Sequence, residues 1–597
     1  MRQKKWIKRL VGFVCVLSVS IQGVGCQKAA DSVEKVKNIT VSKEKEQKEF
    51  DSFLNEMFVE DVQSDSITLN YTLSKPEDYG IKDFTPTFGE YGVEASKKNY
   101  VTTENYYERL NNFTYEALTD EQQLIFDILQ DYLKVNPDDE KYLLYGEALG
   151  KTTGIQAQLP ILLSEYNFYD KDDISSYLEL LDCLPAYFLQ IEEYEKEKSK
   201  AGLFMSDHNA DNIISQCKDF IKDTESNFLI TIFNDRMDEF EGLTNKERTE
   251  FKKRNKEAVI NSIIPAYEHL METLKSLKGT GKNNGGVCNF KDGKAYYERL
   301  AQATTGSDKT IKEMKSALTK TKNKALLKIS SLSQNDSGIY DDFFDMKYPH
   351  TDPEETMNYL KKAIKNDFPK LEEVNCTIKY VHKSLEDHLS PAFYLTPPID
   401  NYKENSVYIK RGGNTNMDEL FPTLAHEGYP GHLFQNVYFS QQNPNPVRSL
   451  FNYGGYSEGW ATYCELYSYE ISGVDANLAE FAKQYNIFNL CLYAEMDIGV
   501  NYDGWDLNKL KEYLADYGIT SSDAAQEIFD IVIDDPANYL QYVIGYIEFA
   551  DLRSTAEAEL GDDFNAKEFH TFLLDIGPAS FPVIEKYMDD WMESQKS

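Results

Sequence analysis

The stretch that most constrains the fold of this chain is residues 420–436, LFPTLAHEGYPGHLFQN. It places His426 and Glu427 side by side and a second histidine, His432, six residues after the first. Apolar residues flank these polar ones on both sides. Neutral imidazoles, a carboxylate beside them and an apolar wall behind them are what a protein metal site requires. The sequence therefore predicts a metal-binding segment here.

The spacing of the two histidines predicts a break in the helix that carries them. On a regular helix, six steps of about 100° place His432 about 120° away from His426, so one ion cannot bind both rings. The residues between them include Pro430, which removes a backbone donor, and Gly431, which permits unusual dihedral angles. We therefore expect a break over Gly428–Gly431 with helix on both sides, so that the two rings converge on one ion.

This spacing is not specific by itself, because His382 and His388 repeat it without a glutamate after the first histidine. A second predicted helix, residues 454–470, adds Glu458 and Glu465. Two histidines and a distant glutamate form a three-ligand zinc site that leaves a fourth position for water. The alternative for Glu458 is a glutamate that the helix dipole favours near an N-terminus.

The motif HEGYPGH followed by EGWATYCE resembles family 885 of the bacterial domains of unknown function, whose members carry HExxPGH and then EGWAxYxE. That family is regarded as zinc peptidase-like and akin in layout to gluzincins such as thermostable carboxypeptidases and angiotensin-converting enzyme. One departure is Leu433, where members often have another histidine. The resemblance covers nearly everything after the leader, through FDSFLNEMFVED (50–61), DGKAYYERL (292–300), YVIGYIEFADLR (542–553) and FHTFLLDIGPASFPVIE (569–585).

The resemblance and the spacing together assign roles at a zinc site. His426, His432 and Glu458 are the expected ligands of one zinc ion. Glu465 lies two turns beyond Glu458 on the same face, so it is either a fallback ligand or a partner behind a ligand. Glu427 is the expected general base, because a carboxylate beside the metal takes a proton from water and delivers it to the leaving amine.

Two further roles are expected from the C-terminal blocks. Tyr542 is the first candidate and His570 the second for the donor that stabilises an oxyanion. Both fall in segments that resemble the family, although most tyrosines and many histidines simply pack. Arg553 returns to within about 20° of the face of Tyr542 and is the candidate for binding a substrate carboxylate. A salt bridge with a neighbouring acidic residue is the equally open alternative.

The N-terminus predicts a secreted and lipidated protein. Residues 1–25 combine a basic start, an apolar run and small residues before a cysteine, as a lipoprotein signal peptide does, although Gly23 stands where leucine is usual. Cys26 is then the lipidated first residue, and the charged segment 26–48 is a flexible tether. We expect an extracytoplasmic lipoprotein held to the cell membrane only by this anchor. An ordinary cleaved signal peptide and an uncleaved anchor are the alternatives.

Composition and the resemblance together give the expected fold. Aromatic residues make up 13% of the chain and hydrophobic residues 41%, which predicts a substantial core. The fold is expected to be mainly α, a bilobal gluzincin-like structure with a deep active-site cleft. The peptidase-like domain, 49–597, divides into a helical lobe, 49–285, and a catalytic lobe, 286–597, at a glycine- and asparagine-rich loop.

A small antiparallel β-sheet is predicted just before the metal segment. Residues 376–385, 391–398 and 405–412 are rich in β-branched and aromatic residues and are separated by prolines and asparagines. An exposed edge strand of such a sheet either pairs with an extended substrate or is merely structural.

The sequence thus predicts a zinc-dependent peptidase that hydrolyses short peptides. The net charge of −36 excludes the nucleic-acid-binding class, because phosphates would be repelled. Two alternatives remain: a lipoprotein that binds peptides or a partner without catalysis, and a zinc hydrolase of a non-peptide amide or ester. Glu427 argues against the first, since a binding protein has no use for a general base. The oligomeric state stays open.

Overall fold

The computed structural model describes residues 26–134, 140–151, 153–381, 383, 390–412, 417 and 420–596, with backbone only for 26–41. Helix predominates, as the sequence predicts. The first half of the described chain contains α1 (Cys26–Val62), α2 (Ser66–Thr72), α3 (Val93–Leu110), α4 (Asp120–Lys134), α5 (Ile155–Ser164), α6 (Lys171–Ala201), α7 (Asp207–Ile221), α8 (Phe228–Glu239), α9 (Asn245–Ala258) and α10 (Ile264–Leu277).

Helices also precede and follow a short sheet in the second half. Before the sheet lie α11 (Gly293–Thr305), α12 (Ile311–Asn335), α13 (Ile339–Phe344) and α14 (Pro353–Ala363). The strands are β1 (Asn375–Tyr380), β2 (Ala392–Leu395) and β3 (Glu404–Ile409). After them come α15 (Leu420–Glu427), α16 (His432–Gln441), α17 (Gly454–Ser468), α18 (Ala476–Ile498), α19 (Leu507–Ala515), α20 (Ser522–Asp534), α21 (Asn538–Leu560), α22 (Ala566–Ile576) and α23 (Phe581–Gln595).

The helices begin where side chains satisfy the first free N–H groups. Asp170, Thr244 and Thr310 each form a reciprocal capping box with the acidic residue three positions on, at the starts of α6, α9 and α12. Such local signals fix where a helix begins but not which helix it packs against.

The apolar side chains form two large cores. The smaller core draws mainly on residues 148–274, and the larger combines residues 50–145 with 287–592. The predicted boundary near residue 285 therefore separates the smaller core from the C-terminal half. The predicted lobe 49–285 does not match either core, because α1 and α4 bury their apolar faces against the C-terminal helices. Tyr132 of α4, for example, donates to the carbonyl of Leu450 at 3.4 Å.

The sheet is mixed rather than antiparallel. β3 lies between its two neighbours, antiparallel to β2 and parallel to β1. Residue Val407 of β3 is the partner of Tyr394 on one side and of Ile378 on the other. The prediction of a small sheet is thus confirmed, and its antiparallel character holds only for β2 and β3. β2 is an edge strand of this sheet.

The N-terminal segment differs from the predicted tether. Residues 26–48 have helical backbone as the start of α1, and their last part is attached to the body: Lys43 donates to the carbonyl of Glu116 at 3.0 Å and Gln47 to that of Ala117 at 2.8 Å. The predicted signal peptide, 1–25, lies outside the described residues, as do His382 and His388. Within the part of the chain that is described, the length and apolar character of a membrane span do not occur together in any helix.

Candidate metal centre

The metal segment is interrupted where the spacing of its histidines predicts. α15 ends at Glu427 and α16 begins at His432, with a cis peptide bond between Tyr429 and Pro430. The N–H of Gly431 donates to the carbonyl of Ala425 at 2.9 Å and so folds the break back over the end of α15. The predicted break with helical flanks is confirmed.

The break depends on glycine because backbone approaches backbone there. A Cβ atom on Gly431 would lie 1.7 Å from the carbonyl oxygen of His426 and 2.5 Å from that of Ala425. The φ angle of Gly431 is −74°, so close approach and not a left-handed conformation excludes a side chain. Gly428 is also enclosed, but a Cβ there would first meet the flexible side chain of Met357 at 2.4 Å.

The break brings the two histidines together with the glutamate of α17. Nε2 of His426 lies 3.3 Å, and Nε2 of His432 3.4 Å, from the same oxygen, Oε2 of Glu458. The two imidazole rings are nearly perpendicular, at 81°. One ligand atom from each of the three residues lies within 4.8 Å of the others, and no further group of this kind is found among the described residues.

The donor set and its spacing fit zinc. A tetrahedral ion with ligands at about 2.1 Å has ligand atoms about 3.4 Å apart, whereas an N–H···O hydrogen bond is usually about 2.9 Å long. Both distances to Glu458 therefore match the edge of a coordination tetrahedron better than a direct hydrogen bond. Two imidazoles and one carboxylate leave a fourth position, which is typical of catalytic zinc sites.

Glu465 lies behind His426 and not in the group of three. Its Oε2 is 3.1 Å from Nδ1 of His426, and its Oε1 accepts a hydrogen bond from Asn486 at 2.7 Å. A carboxylate only accepts, so the contact places the proton on Nδ1 and leaves the Nε2 lone pair for a metal. Of the two roles predicted for Glu465, the geometry favours the supporting one. Sequence reasoning missed Asn486, which no motif marks.

The charges of the group attract one another strongly. Burial lowers the pKa of His426, but the carboxylates of Glu458 and Glu465 outweigh burial and hold it well above its usual value. Burial alone would raise the pKa of Glu458, yet the imidazoles of His432 and His426 hold it well below its usual range. The carboxylates around His426 thus favour positive charge at this position.

Glu427 lies beside the group and faces the sheet. Its Oε2 accepts a hydrogen bond from the backbone N–H of Tyr394 in β2 at 2.8 Å. Burial raises the pKa of Glu427, although the imidazoles of His426 and His432 act in the opposite direction. One carboxylate oxygen is therefore anchored to the edge strand, next to the first histidine.

Tyr542 lies on α21, which packs along α17. Burial raises the pKa of Tyr542 far above its usual value, and the carboxylates of Glu458 and Glu427 raise it further. Its hydroxyl therefore stays protonated. Its role as the oxyanion donor stays a prediction.

His570 lies in the core. It is fully buried and stacks on Phe368 with ring centroids 4.2 Å apart. Nδ1 lies 2.6 Å from the carbonyl oxygen of Asp367, and Nε2 lies 2.9 Å from the hydroxyl of Tyr463. A carbonyl only accepts, so Nδ1 carries the proton and Nε2 accepts from Tyr463. With both nitrogens occupied, the structure does not support His570 as an oxyanion donor.

Arg553 forms a salt bridge with a neighbouring acidic residue, which is the alternative that the sequence left open. It donates to Glu557 at 2.8 Å and to the hydroxyl of Tyr463 at 2.7 Å. The predicted binding of a substrate carboxylate would require it to leave both partners.

Cys26 begins α1, and its side chain is not described, so its predicted lipidation stays a prediction.

Comparisons with known proteins place the chain in a family. The model of the family described as bacterial protein of unknown function (DUF885) matches residues 78–588. The chain belongs to this family. The resemblance inferred from its motifs is thereby confirmed at the level of the family. No curated protein gives a significant match to this DUF885 protein.

Solved structures with the same fold are known. A protein described as "the putative lipoprotein from Colwellia psychrerythraea" is 16% identical, with a TM-score of 0.81 over 92% of this chain and 99% of that chain. A "putative lipoprotein of unknown function" from Shewanella oneidensis is 18% identical, with a TM-score of 0.60 over 90% of this chain and 98% of that one. A "putative oligoendopeptidase F" from Bacillus anthracis reaches a TM-score of only 0.33 at 13% identity, which does not establish a shared fold.

Proposed function

We propose that this DUF885 protein is a zinc-dependent metallopeptidase that hydrolyses short peptides. The observation that carries the proposal is the convergence of His426, His432 and Glu458, with separations that fit one tetrahedral ion. Glu465 supports it, because a carboxylate behind a histidine is the usual arrangement at zinc sites.

The residues around the centre divide the chemistry of amide hydrolysis among them. When bound, zinc lowers the pKa of a water molecule and polarises a carbonyl group. Glu427 takes the proton from the attacking water and returns it to the leaving amine. The N–H of Tyr394 holds one oxygen of Glu427 and so orients the other. The protonated hydroxyl of Tyr542 donates to the oxyanion that develops on the substrate.

The neighbouring edge strand favours a peptide over another amide or ester. The N–H of Tyr394 is directed away from β3 and towards Glu427, so the outer edge of β2 faces the centre. An extended peptide pairs with such an edge through its own backbone groups. The side chains of His426 and His432 are only 12% and 14% exposed. A centre recessed to this degree admits an extended chain more readily than a folded protein.

The test compares Glu427→Gln with the wild-type protein. The variant keeps the size of the side chain and removes the base, so it should bind one zinc ion per chain and lose at least about 100-fold in turnover of a peptide library. Glu250→Gln, an exposed change on α9, serves as the matched control and should hydrolyse normally. Chelation should abolish wild-type turnover, and added zinc should restore it.

Three outcomes would contradict the proposal. Wild-type protein without stoichiometric zinc would remove the metal centre. Near wild-type turnover in zinc-loaded Glu427→Gln would remove the mechanism, whereas zinc binding without any hydrolysis of peptides would favour the binding protein or the non-peptide hydrolase.

We also propose that the protein is a lipoprotein anchored at Cys26. The sequence of the leader motivates this, and two proteins of the same fold are described as putative lipoproteins. Mass spectrometry of the N-terminal peptide from membrane extracts should show a diacylglyceryl group on Cys26, and a mature chain that starts elsewhere would contradict the anchor.

A further inference from the structure

The carbonyl oxygen of Pro430, in the middle of the helix break, is held by two side chains of α17. The indole N–H of Trp460 donates to it at 3.0 Å, and the thiol of Cys464 at 3.4 Å. Both side chains are fully buried. Pro430 lies outside α15 and α16, so intrahelical bonds do not satisfy its carbonyl and side chains of another helix replace them.

The same helix supplies the third metal ligand on a different face. With residues about 100° apart, Glu458 and Glu465 lie within about 20° of each other, and Trp460 and Cys464 within about 40° of each other on another side of α17. α17 therefore meets the metal segment twice, once at the histidine rings and once at the carbonyl of the break.

These contacts connect each of the three ligands to α17. Glu458 is part of it. His426 is held by Glu465 through its Nδ1 atom. His432 follows Pro430 by two residues, so the position of the Pro430 carbonyl sets where α16 begins and where the ring of His432 points.

We propose that Trp460 is a positioning residue for the metal centre. Its indole N–H fixes the break relative to α17 and thereby holds His432 opposite Glu458. This role rests on the proposed zinc site and goes beyond it, because it assigns the geometry of the site to a side chain that does not itself contact the metal.

The competing explanation is that Trp460 only fills the core. Its ring does pack against Phe368, Phe549 and His570, with centroids 5.8–6.0 Å away. Packing alone would make a change at Trp460 reduce stability without a separate effect on zinc. The hydrogen bond to Pro430 is what distinguishes the two roles.

The test measures zinc affinity in the full chain with Trp460→Phe, which keeps an aromatic ring and removes the N–H. Tyr463→Phe is the matched control: it lies on the same helix, is also buried, and loses its hydrogen bonds with His570 and Arg553 while the bond to Pro430 stays. Competition with a chromophoric chelator gives the dissociation constant for zinc, and thermal unfolding of the metal-free proteins gives their stability. Absorption of the Co²⁺-loaded proteins reports the coordination geometry.

We expect Trp460→Phe to weaken zinc binding about 10-fold or more, as loss of a supporting contact usually does, and to change the Co²⁺ spectrum. Tyr463→Phe should keep zinc affinity and the Co²⁺ spectrum near those of the wild type, although it loses about as much thermal stability as Trp460→Phe. Equal affinities in wild type and Trp460→Phe, or equal weakening in both variants, would overturn the positioning role.

The remaining outcomes are also decisive. If Trp460→Phe does not fold, Trp460→Met fills part of the same space with a flexible apolar side chain and also lacks the N–H, and unchanged zinc affinity there would overturn the role. Wild-type protein that binds no zinc would refute the proposed function itself, a result that the wild-type arm separates from a failure of Trp460.

Discussion

Glu465 contacts Nδ1 of His426 and lies outside the group of three candidate ligands. Its carboxylate accepts a hydrogen bond from the N–H at Nδ1, and Asn486 donates to its other oxygen, so the ring of His426 has one orientation and one tautomer. His570 shows the opposite case, in which both ring nitrogens are occupied within the core. At the scale of residues, the partner of the second ring nitrogen decides what a histidine can do.

We predict that Glu465→Gln weakens zinc binding by about 10- to 100-fold, because an amide is a poorer partner for Nδ1 and no longer fixes the tautomer. Glu470→Gln is the matched control, since Glu470 lies on the same segment and pairs with Lys483 at 2.8 Å, away from the histidines. Competition with a chelator measures the zinc affinity of both variants. Zinc affinity in Glu465→Gln equal to that of the control would show that the contact does not support the site.

At the scale of elements, the break between α15 and α16 brings His426 and His432 to the same oxygen of Glu458. We predict that Gly431→Ala loses zinc binding, because its Cβ would lie 1.7 Å from a backbone oxygen that cannot move without moving His426. Gly338→Ala is the control, since a Cβ there meets only side-chain oxygens at 3.5 and 3.9 Å. Zinc content after purification checks both variants. Stoichiometric zinc in Gly431→Ala would mean that the segment tolerates a different break.

The sequence predicts this break but not the contacts that hold it. A separation of six positions between the two histidines, with a Pro-Gly pair between them, excludes a regular helix, and this argument uses only neighbouring residues. The bonds from Trp460 to Pro430 and from Asn486 to Glu465 join segments that lie 30 and 21 residues apart. Which helices pack together depends on the whole core and not on neighbouring residues. For the same reason the sequence did not reveal the parallel pairing of β1 with β3.

At the scale of the whole molecule, two cores and a large negative charge set the stability. Residues 50–145 join the larger core because the apolar faces of α1 and α4 fit the C-terminal helices, which helical periodicity alone does not reveal.

Several carboxyl groups are buried within this assembly. Burial raises the pKa of Asp497 and of Asp534 to about 7 in each case. Asp534 joins α20 to the loop before α5, where the N–H of Lys151 donates to it at 3.3 Å.

Asp497 ties three elements of the larger core together. It is fully buried on α18, and its Oδ1 accepts from Tyr297 of α11 at 2.7 Å and from the N–H of Ala537, just before α21, at 3.0 Å. An unfolded chain would release its proton near pH 3.9, whereas the folded chain holds it until about pH 7. The folded state therefore binds more protons between these values, so the contribution of Asp497 to stability is fully present at low pH and is lost as the pH rises through 7.

We predict that the thermal stability of the metal-free protein falls between pH 5 and pH 8. The thermal stability of Asp497→Asn should fall less over the same range. The loss from this one group between these pH values is on the order of 3 kcal/mol, because the folded chain holds the extra proton over about two pH units, from pH 5 to about pH 7, at about 1.4 kcal/mol for each. The net charge of the chain is −36, so repulsion between surface charges also changes stability with pH. Asp516→Asn is the matched control for this effect, because it removes the same charge from the exposed end of α19. Added salt screens that repulsion but reaches a buried carboxyl far less. Unfolding temperatures at both pH values and two salt concentrations separate the effects. The same pH dependence in Asp497→Asn as in Asp516→Asn would assign it to surface repulsion and not to the buried carboxyl.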